Sequence, residues 1–393
     1  MSGGVMPAVL LVPGTQATEL VDASGEVVYS ASGLSMLSAL APLLAARVGR
    51  HTPREWAALL ELAHEPGDLQ PQPHSLKLFP GRVLRTPYEP LYHTYGDDFA
   101  DWPYDWRLDI LSNGRRLMEH LRTHPSSAHN GRWRVVGHSQ GGLVILAAAA
   151  VAGPAAFADV VSHAALVGAP LAGTFRAAEA LLFGREDFGA DAALVDMLRD
   201  AARSWPALIQ MLPGWNAVVK GPHGDSDADA VAAHLQLRHP QGWPADAPLT
   251  SAQAALLPRE EVFHDILLST LTDLADARRA DLADPNHADT GTGPGAVGTD
   301  AGTSHVRLRI IMGLEQETTL FIRRGHAGLA PGLEGQPTEP GDDLVPALRT
   351  VQWAGGRIDG PVEFVRPNLP HAMLLKDPEV IRSLAGFFEE GTS

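Results

Sequence analysis

Ser139 stands at the centre of Gly137-His138-Ser139-Gln140-Gly141, a pentapeptide suited to hold a hydroxyl nucleophile on a tight turn between a strand and a helix. Small residues on either side let strand and helix approach each other closely there. A serine hydroxyl is a weak nucleophile at neutral pH. It needs a base within hydrogen-bond reach, a carboxylate to orient that base, and amides to hold the developing oxyanion. Where this turn supports such chemistry, the order along the chain is serine, acid, histidine. Of the 17 histidines, only His305, His326 and His371 lie in the last quarter of the chain. His371 alone follows Gly341-Asp342-Asp343-Leu344-Val345-Pro346, an acidic turn whose Asp342 is the candidate acid, with Asp343 beside it as the alternative. Glu315 and Glu317 are further rivals. His138 is expected to pack beneath the turn rather than act as the base.

The elements around these residues set the expected frame. Arg132-Trp133-Arg134-Val135-Val136 reads as a buried strand before the serine, and Gly142-Leu143-Val144-Ile145-Leu146 opens an Ala-rich helix after it. Further strand candidates lie at 7–12, 163–168 and 306–312, and the spacing is the βαβ rhythm of a mostly parallel sheet. Asp377-Pro378-Glu379 begins a final helix, with Asp as cap and Pro at its first position. Between these parts, residues 172–305 change character. Helical runs at 190–202 and 251–280 precede a Gly/Thr/Asp/Ala-rich stretch at 289–304, read as a flexible loop. The expected organisation is a core of 1–171 and 306–393 carrying a helical cap at 172–305. The acidic stretch 225–229 reads as solvated surface. Val12-Pro13-Gly14-Thr15-Gln16 follows the first strand, so the oxyanion amides are expected from Gln140 and from Thr15 or Gln16, with the Thr15 hydroxyl as an additional donor.

Composition narrows the classes. The 393 residues carry 30 Lys+Arg against 46 Asp+Glu, a formal charge of −16, which argues against tracking nucleic-acid phosphates or docking on anionic membranes. The absence of cysteine excludes disulfides, thiolate catalysis and Cys-based zinc sites. His223 with Asp225, and His287 with Asp289, lack further converging ligands, so neither metal nor cofactor is expected. The first apolar stretch is strand-length and ends in Pro-Gly. The longest, 143–158, is broken by Gly153-Pro154, so a cytoplasmic protein without signal peptide or membrane span is expected.

Taken together, Leu11-Val12-Pro13-Gly14, Pro103-Tyr104-Asp105-Trp106-Arg107, Gly137-His138-Ser139-Gln140-Gly141-Gly142, Gly168-Ala169-Pro170, the acidic turn and His371 give a family resemblance. The chain resembles the lecithin:cholesterol acyltransferase-like branch of the α/β-hydrolases, and Ser204-Trp205-Pro206-Ala207 leading to Leu212-Pro213 looks like a cap segment of that branch. The resemblance implies an α/β-hydrolase fold with helices on both faces of the sheet and an inserted helical cap. It implies Ser139 as nucleophile, Asp342 as acid, His371 as base, and oxyanion amides at Gln140 and near Thr15. The family's acid turn usually reads Gly-Asp-Gly-Thr-Val-Pro. Asp343-Leu344 replace Gly-Thr here, which leaves Asp342 and Asp343 both open. The Tyr104–Arg107 block is expected to brace the core beside the site.

These residues point first to a serine ester hydrolase of lipase, esterase or phospholipase type, acting on an apolar small-molecule or lipid ester through an acyl-enzyme. Acyl transfer to a lipid or other alcohol is the alternative, and a non-catalytic binding module the second. Leu181-Leu182-Phe183 and Leu208-Ile209-Gln210-Met211-Leu212 are candidate apolar lining of the cap. Contact with a lipid surface is expected to be transient at most, and nucleic acid is not an expected partner.

Overall fold

The computed structural model describes residues 8–30, 52–127 except 66, 67 and 69, 131–183, 192–214, 254–283 except 256, 305–319, 338–347 and 362–390 except 367 and 368, with short pieces at 218–220, 234–235, 322–325, 328–329 and 350. His223, Asp225, His287, His326, the 225–229 stretch and the 289–304 loop lie outside the described residues.

Six strands form the central sheet: β1 (Val9–Val12), β2 (Phe99–Asp101), β3 (Trp133–His138), β4 (Val161–Val167), β5 (Arg307–Gly313) and β6 (Val362–Val365). Their order across the sheet is β6-β5-β4-β3-β1-β2, and every neighbouring pair is parallel. A parallel sheet covered on both faces needs strands that are apolar throughout rather than alternating. β1 meets this requirement, and β4 is buried at every residue although it carries Ser162 and His163 near its start. The expected strands are present, and β2 and β6 extend the sheet at its two edges.

Strand alternation divides the apolar residues between two cores. Leu10, Val12, Val135 and Leu166 face helices α1 (Ile110–Thr123), α2 (Gln140–Ala152) and α3 (Pro258–Ala283). Val9, Leu11, Val136 and Val167 face α4 (Pro378–Glu389), which contributes Val380, Leu384, Phe387 and Phe388. The Asp109 carboxylate accepts the Ser112 N–H at 2.8 Å and caps α1, while Asp377 accepts the Glu379 N–H at 2.7 Å and caps α4 as its sequence anticipates. α2 is buried from Gln140 through Ala149, so an Ala-rich helix is what fits behind the sheet.

Between β4 and β5 the chain forms helices at Phe175–Phe183, Ala192–Ala202 and Pro206–Gln210, then α3, which packs against α2. Small antiparallel pairings lie outside the main sheet. Thr18–Val21 pairs with Val27–Tyr29 and Phe79–Val83, and Gln316–Thr319 pairs with Thr338–Gly341. Val218–Lys220 pairs with His234–Leu235 and, in parallel, with Ile322–Gly325, which in turn pairs with Gly328–Leu329. Among the described residues no helix is long and apolar enough to cross a membrane.

The strand order has one functional consequence. β2 lies on one side of β1, and all later strands lie on the other. The reversal falls between β1 and β3, and a crevice at the carboxyl ends of such a pair is where open α/β sheets bind ligands.

Candidate active site

Ser139 sits at that crevice, between β3 and α2, with φ 54° and ψ −126°. A side-chain-bearing residue rarely adopts such a backbone, which costs on the order of 1–3 kcal/mol and persists only when its surroundings enforce it. They do. The Ser139 N–H donates to the Val167 carbonyl at 2.9 Å, and its own carbonyl accepts the Gly142 N–H at 2.9 Å. A Cβ on Gly141 would lie 2.0 Å from the Val12 carbonyl oxygen, so β1 and α2 meet here with no room for a side chain.

His371 opens the short helix His371–Lys376 after β6, and Asp342 lies in the turn after Thr338–Gly341. The two meet with His371 Nδ1 2.8 Å from Asp342 Oδ2, and both are buried. The other carboxylate oxygen of Asp342 accepts the Val345 N–H at 2.7 Å and the Leu344 N–H at 3.2 Å, which fixes its orientation. A carboxylate on Nδ1 holds the imidazole with Nδ1–H donating and leaves the Nε2 lone pair free. Among the described residues, the buried His371 Nε2 has no hydrogen-bond partner. Burial, the largest effect, would lower the basicity of His371, but the Asp342 carboxylate, its hydrogen bond and Asp343 together outweigh it and raise the pKa above the ordinary value. The left-handed turn at Gly168 (φ +58°) packs under the pair, where a Cβ would meet His371 Cε1 at 3.0 Å and Asp342 Oδ2 at 3.1 Å.

Asp343 also takes part, but through the backbone: its Oδ1 accepts the His371 N–H at 3.1 Å. Glu315 and Glu317 are exposed, and Glu315 instead lies 3.9 Å from Arg366. The His305 carbonyl accepts from Arg132 at 2.7 Å, a role unrelated to this site.

The loop after β1 approaches the turn from the other side. The Thr15 hydroxyl donates to Gln140 Oε1 at 2.7 Å, and Gln140 Nε2 donates to the Trp106 carbonyl at 3.0 Å. The segments expected to offer oxyanion amides are thus joined side chain to side chain. The hydroxyl hydrogen of Thr15, expected to serve as an extra donor, is directed at Gln140. Gln16 has φ 65°, an uncommon left-handed conformation for a residue with a side chain.

A second chain of hydrogen bonds runs beneath. The Gly14 N–H donates to the Tyr88 hydroxyl at 3.0 Å, and that hydroxyl is 3.1 Å from His138 Nδ1. His138 Nε2 is 3.0 Å from the His371 carbonyl oxygen. For a neutral ring only one proton assignment satisfies all three contacts: Tyr88 O–H donates to Nδ1, and Nε2–H donates to the carbonyl. Burial first, and the nearby His371 second, push the His138 pKa down to about 3, in keeping with a neutral ring. Burial pushes the Tyr88 hydroxyl pKa upward as well. Tyr88 was not singled out from the sequence. Its only local signal is an aromatic between Pro87 and Glu89-Pro90, and nothing there announces a partner 50 residues away.

Tyr104-Asp105-Trp106-Arg107 holds the wall behind the loop. The Tyr104 hydroxyl donates to the Pro13 carbonyl at 2.9 Å, and the Trp106 indole N–H to the Thr18 carbonyl at 3.0 Å. Trp106 packs edge-on against Trp205, with ring centroids 5.1 Å apart. Arg107 and Asp105 form a buried ion pair at 2.7 Å, and the guanidinium also donates to the Leu60 carbonyl at 3.0 Å. Leu181, Ile209, Met211 and Leu212 are buried in the larger core rather than offered as a lining. The side chains of Leu182 and Phe183 lie outside the described residues. No group of metal-binding side chains occurs among the described residues.

Comparison with known proteins agrees with the motifs. Residues 95–253 match the family model described as Lecithin:cholesterol acyltransferase, a span that includes the Ser139 turn and stops short of Asp342 and His371. Such a likeness supports an enzyme acting on acyl esters. No curated protein sequence matches the chain at a significant level. Among solved structures, a chain in the crystal structure of the Tle4-Tli4 complex is similar at TM-score 0.54 and 11% identity, covering 98% of this chain and 97% of that one. At that identity the likeness speaks for the fold alone. The all-parallel sheet, the helices on both faces and this match together give the chain the α/β-hydrolase fold, and over residues 95–253 it matches the lecithin:cholesterol acyltransferase family.

Proposed function

We propose that the chain is a serine ester hydrolase in which Ser139 is the nucleophile, His371 the base and Asp342 the acid. The observation that carries this reading is the buried His371 ring, anchored at Nδ1 by Asp342 and left with an unpartnered Nε2, at the same end of the sheet as the strained serine. Ser139 Oγ attacks the ester carbonyl carbon while His371 Nε2 takes its proton. The N–H of Gln140 and an N–H of Thr15 or Gln16 hold the oxyanion. The ester bond breaks, and His371 returns the proton to the departing alcohol. Water then attacks the acyl-enzyme with the same base, freeing the acid and restoring Ser139. In this reading residues 1–171 and 306–393 are the catalytic core and 172–305 the cap, and the substrate is an apolar acyl ester. Transfer of the acyl group to an alcohol is the second reading, favoured by the family match over 95–253.

Ser139→Ala removes the nucleophile without crowding the turn. Hydrolysis of short p-nitrophenyl esters should fall at least about 10³-fold with the thermal midpoint unchanged. Turnover near the wild-type rate in that variant rejects the serine mechanism. Running wild type with and without added alcohols, and assaying for the new ester, separates transfer from hydrolysis.

A further inference from the structure

Asp342 and Asp343 are adjacent carboxylates with different hydrogen-bond partners. Asp342 turns one oxygen to its own loop and the other to the imidazole. Asp343 adopts φ 76°, one of three left-handed residues other than glycine among those described, alongside Gln16 and Ser139. Aspartate tolerates this region best when its side chain bonds to its own turn. Asp343 Oδ1 instead reaches across 28 positions to the His371 N–H, where the Asp342 carbonyl also accepts at 2.8 Å. The backbone that aims it is anchored separately. The Asp343 N–H donates to Thr318 Oγ1 at 3.1 Å, and the next carbonyl, of Leu344, accepts the Thr174 hydroxyl at 2.6 Å. All three left-handed residues fall on the segments that surround the candidate reaction centre, which is where stored strain is characteristic of function.

We propose that Asp343 is a positioning residue for the base, a second carboxylate that fixes the His371 backbone and stabilises the imidazolium formed when Ser139 gives up its proton. The proposal rests on the serine reading above and adds to it a residue outside the triad. Among the described residues, few charges lie around the imidazole. Asp342 and Asp343 face it from the acidic turn, and His138 faces it from β3 with ring centroids 5.1 Å apart and no charge of its own. Arg176, on the Phe175–Phe183 helix, is the further charged group acting on Asp343. Burial pushes the Asp343 carboxyl upward and Asp342 adds to this, while His371 and Arg176 pull it back. An imidazolium with two carboxylates beside it forms more readily than one with a single partner.

Two substitutions in the full chain separate the charge from the geometry. Asp343→Asn keeps the shape and an acceptor for the His371 N–H but removes the charge. Asp343→Gly removes the side chain and suits φ 76°. One sample of wild type is tested for fluorophosphonate labelling, and kcat and KM are followed against pH on a short p-nitrophenyl ester with separate, unlabelled wild type and variants. For Asp343→Asn the acid limb of kcat/KM should move to lower pH by about 0.5–1 unit, because a lost carboxylate lowers the pKa of the base. Its plateau kcat should fall about 3- to 10-fold with KM within about twofold, since one pKa unit corresponds to a tenfold change. Asp343→Gly should lose more activity while its Tm is no lower than wild type, as a residue with a purely structural task would not allow. If wild type takes the label, yet the acid limb and kcat of unlabelled wild type coincide with those of Asp343→Asn, this inference alone is overturned. A wild type inert to the fluorophosphonate overturns the serine reading and the inference with it.

Discussion

At the scale of single residues, the site depends on hydroxyl and imidazole groups whose protons have one assignment. Tyr88 shows how much such a group can affect. Its oxygen accepts from Gly14 in the loop after β1 and donates to His138, which in turn donates to the His371 carbonyl. One hydroxyl therefore links the loop after β1 to the loop after β6. Tyr88→Phe leaves the Gly14 N–H and His138 Nδ1 buried without partners, at a cost of about 1–3 kcal/mol. Thermal unfolding should show that loss. kcat should drop by about tenfold while KM changes little, because the oxyanion is bound only in the transition state. Unchanged kcat in a destabilised Tyr88→Phe protein would mean that the chain supports the fold but not the chemistry.

At the scale of elements, the buried Tyr104–Arg107 segment has the features of a brace. Asp105 neutralises Arg107, and both are withdrawn from water. Asp105→Asn leaves a guanidinium buried without its counter-charge, so about 3–5 kcal/mol of stability should disappear in denaturant titrations. The fluorophosphonate labelling rate per folded molecule should hold. A large loss of labelling with stability intact would assign the segment to the substrate instead. The same segment illustrates what could be read from sequence. β1 is a continuous apolar run, and β3, β4 and β5 each hold an apolar stretch of three or more residues (135–137, 164–167 and 310–312), so they were legible. β2 is three residues ending in Asp101, and β6 alternates around Glu363, so neither edge strand carries that signal. The placement of Ser139 on the turn between β3 and α2, and of His371 beside the acidic turn, was legible from chain order and spacing. Asp342 and Asp343 were inseparable, because the difference between them is a backbone conformation: the residue at φ 76° turns its carboxylate to an amide, and its neighbour meets the ring. The Tyr88 link was invisible, since contacts between distant segments leave no local pattern.

At the scale of the whole molecule, buried neutral histidines weaken the fold as pH falls. His138 titrates at about 3 in the folded protein against an ordinary 6.5, chiefly through burial. Between those values the unfolded chain binds the extra proton, so stability falls as pH drops from 6.5 towards 3, by up to about 1.4 kcal/mol per pH unit. His163, lowered to about 4 mainly by burial, acts in the same direction with a smaller share because part of it is screened by solvent. His371 has the opposite sign. Its raised folded pKa contributes stability that is complete below 6.5 and is lost as pH rises through the folded value. Acidification also shrinks the formal charge of −16 and eases self-repulsion, which partly masks the histidine effect in the wild type. A variant isolates it. His138→Gln should be less stable than wild type at pH 7.5, having lost well-placed hydrogen bonds, yet its Tm should fall less between pH 7.5 and 4.5. At pH 4.5 the gap between the two proteins should narrow by about 2–3 kcal/mol, two pH units below the free histidine value. Parallel Tm curves across that range would show that His138 is not the group whose protonation opens the fold.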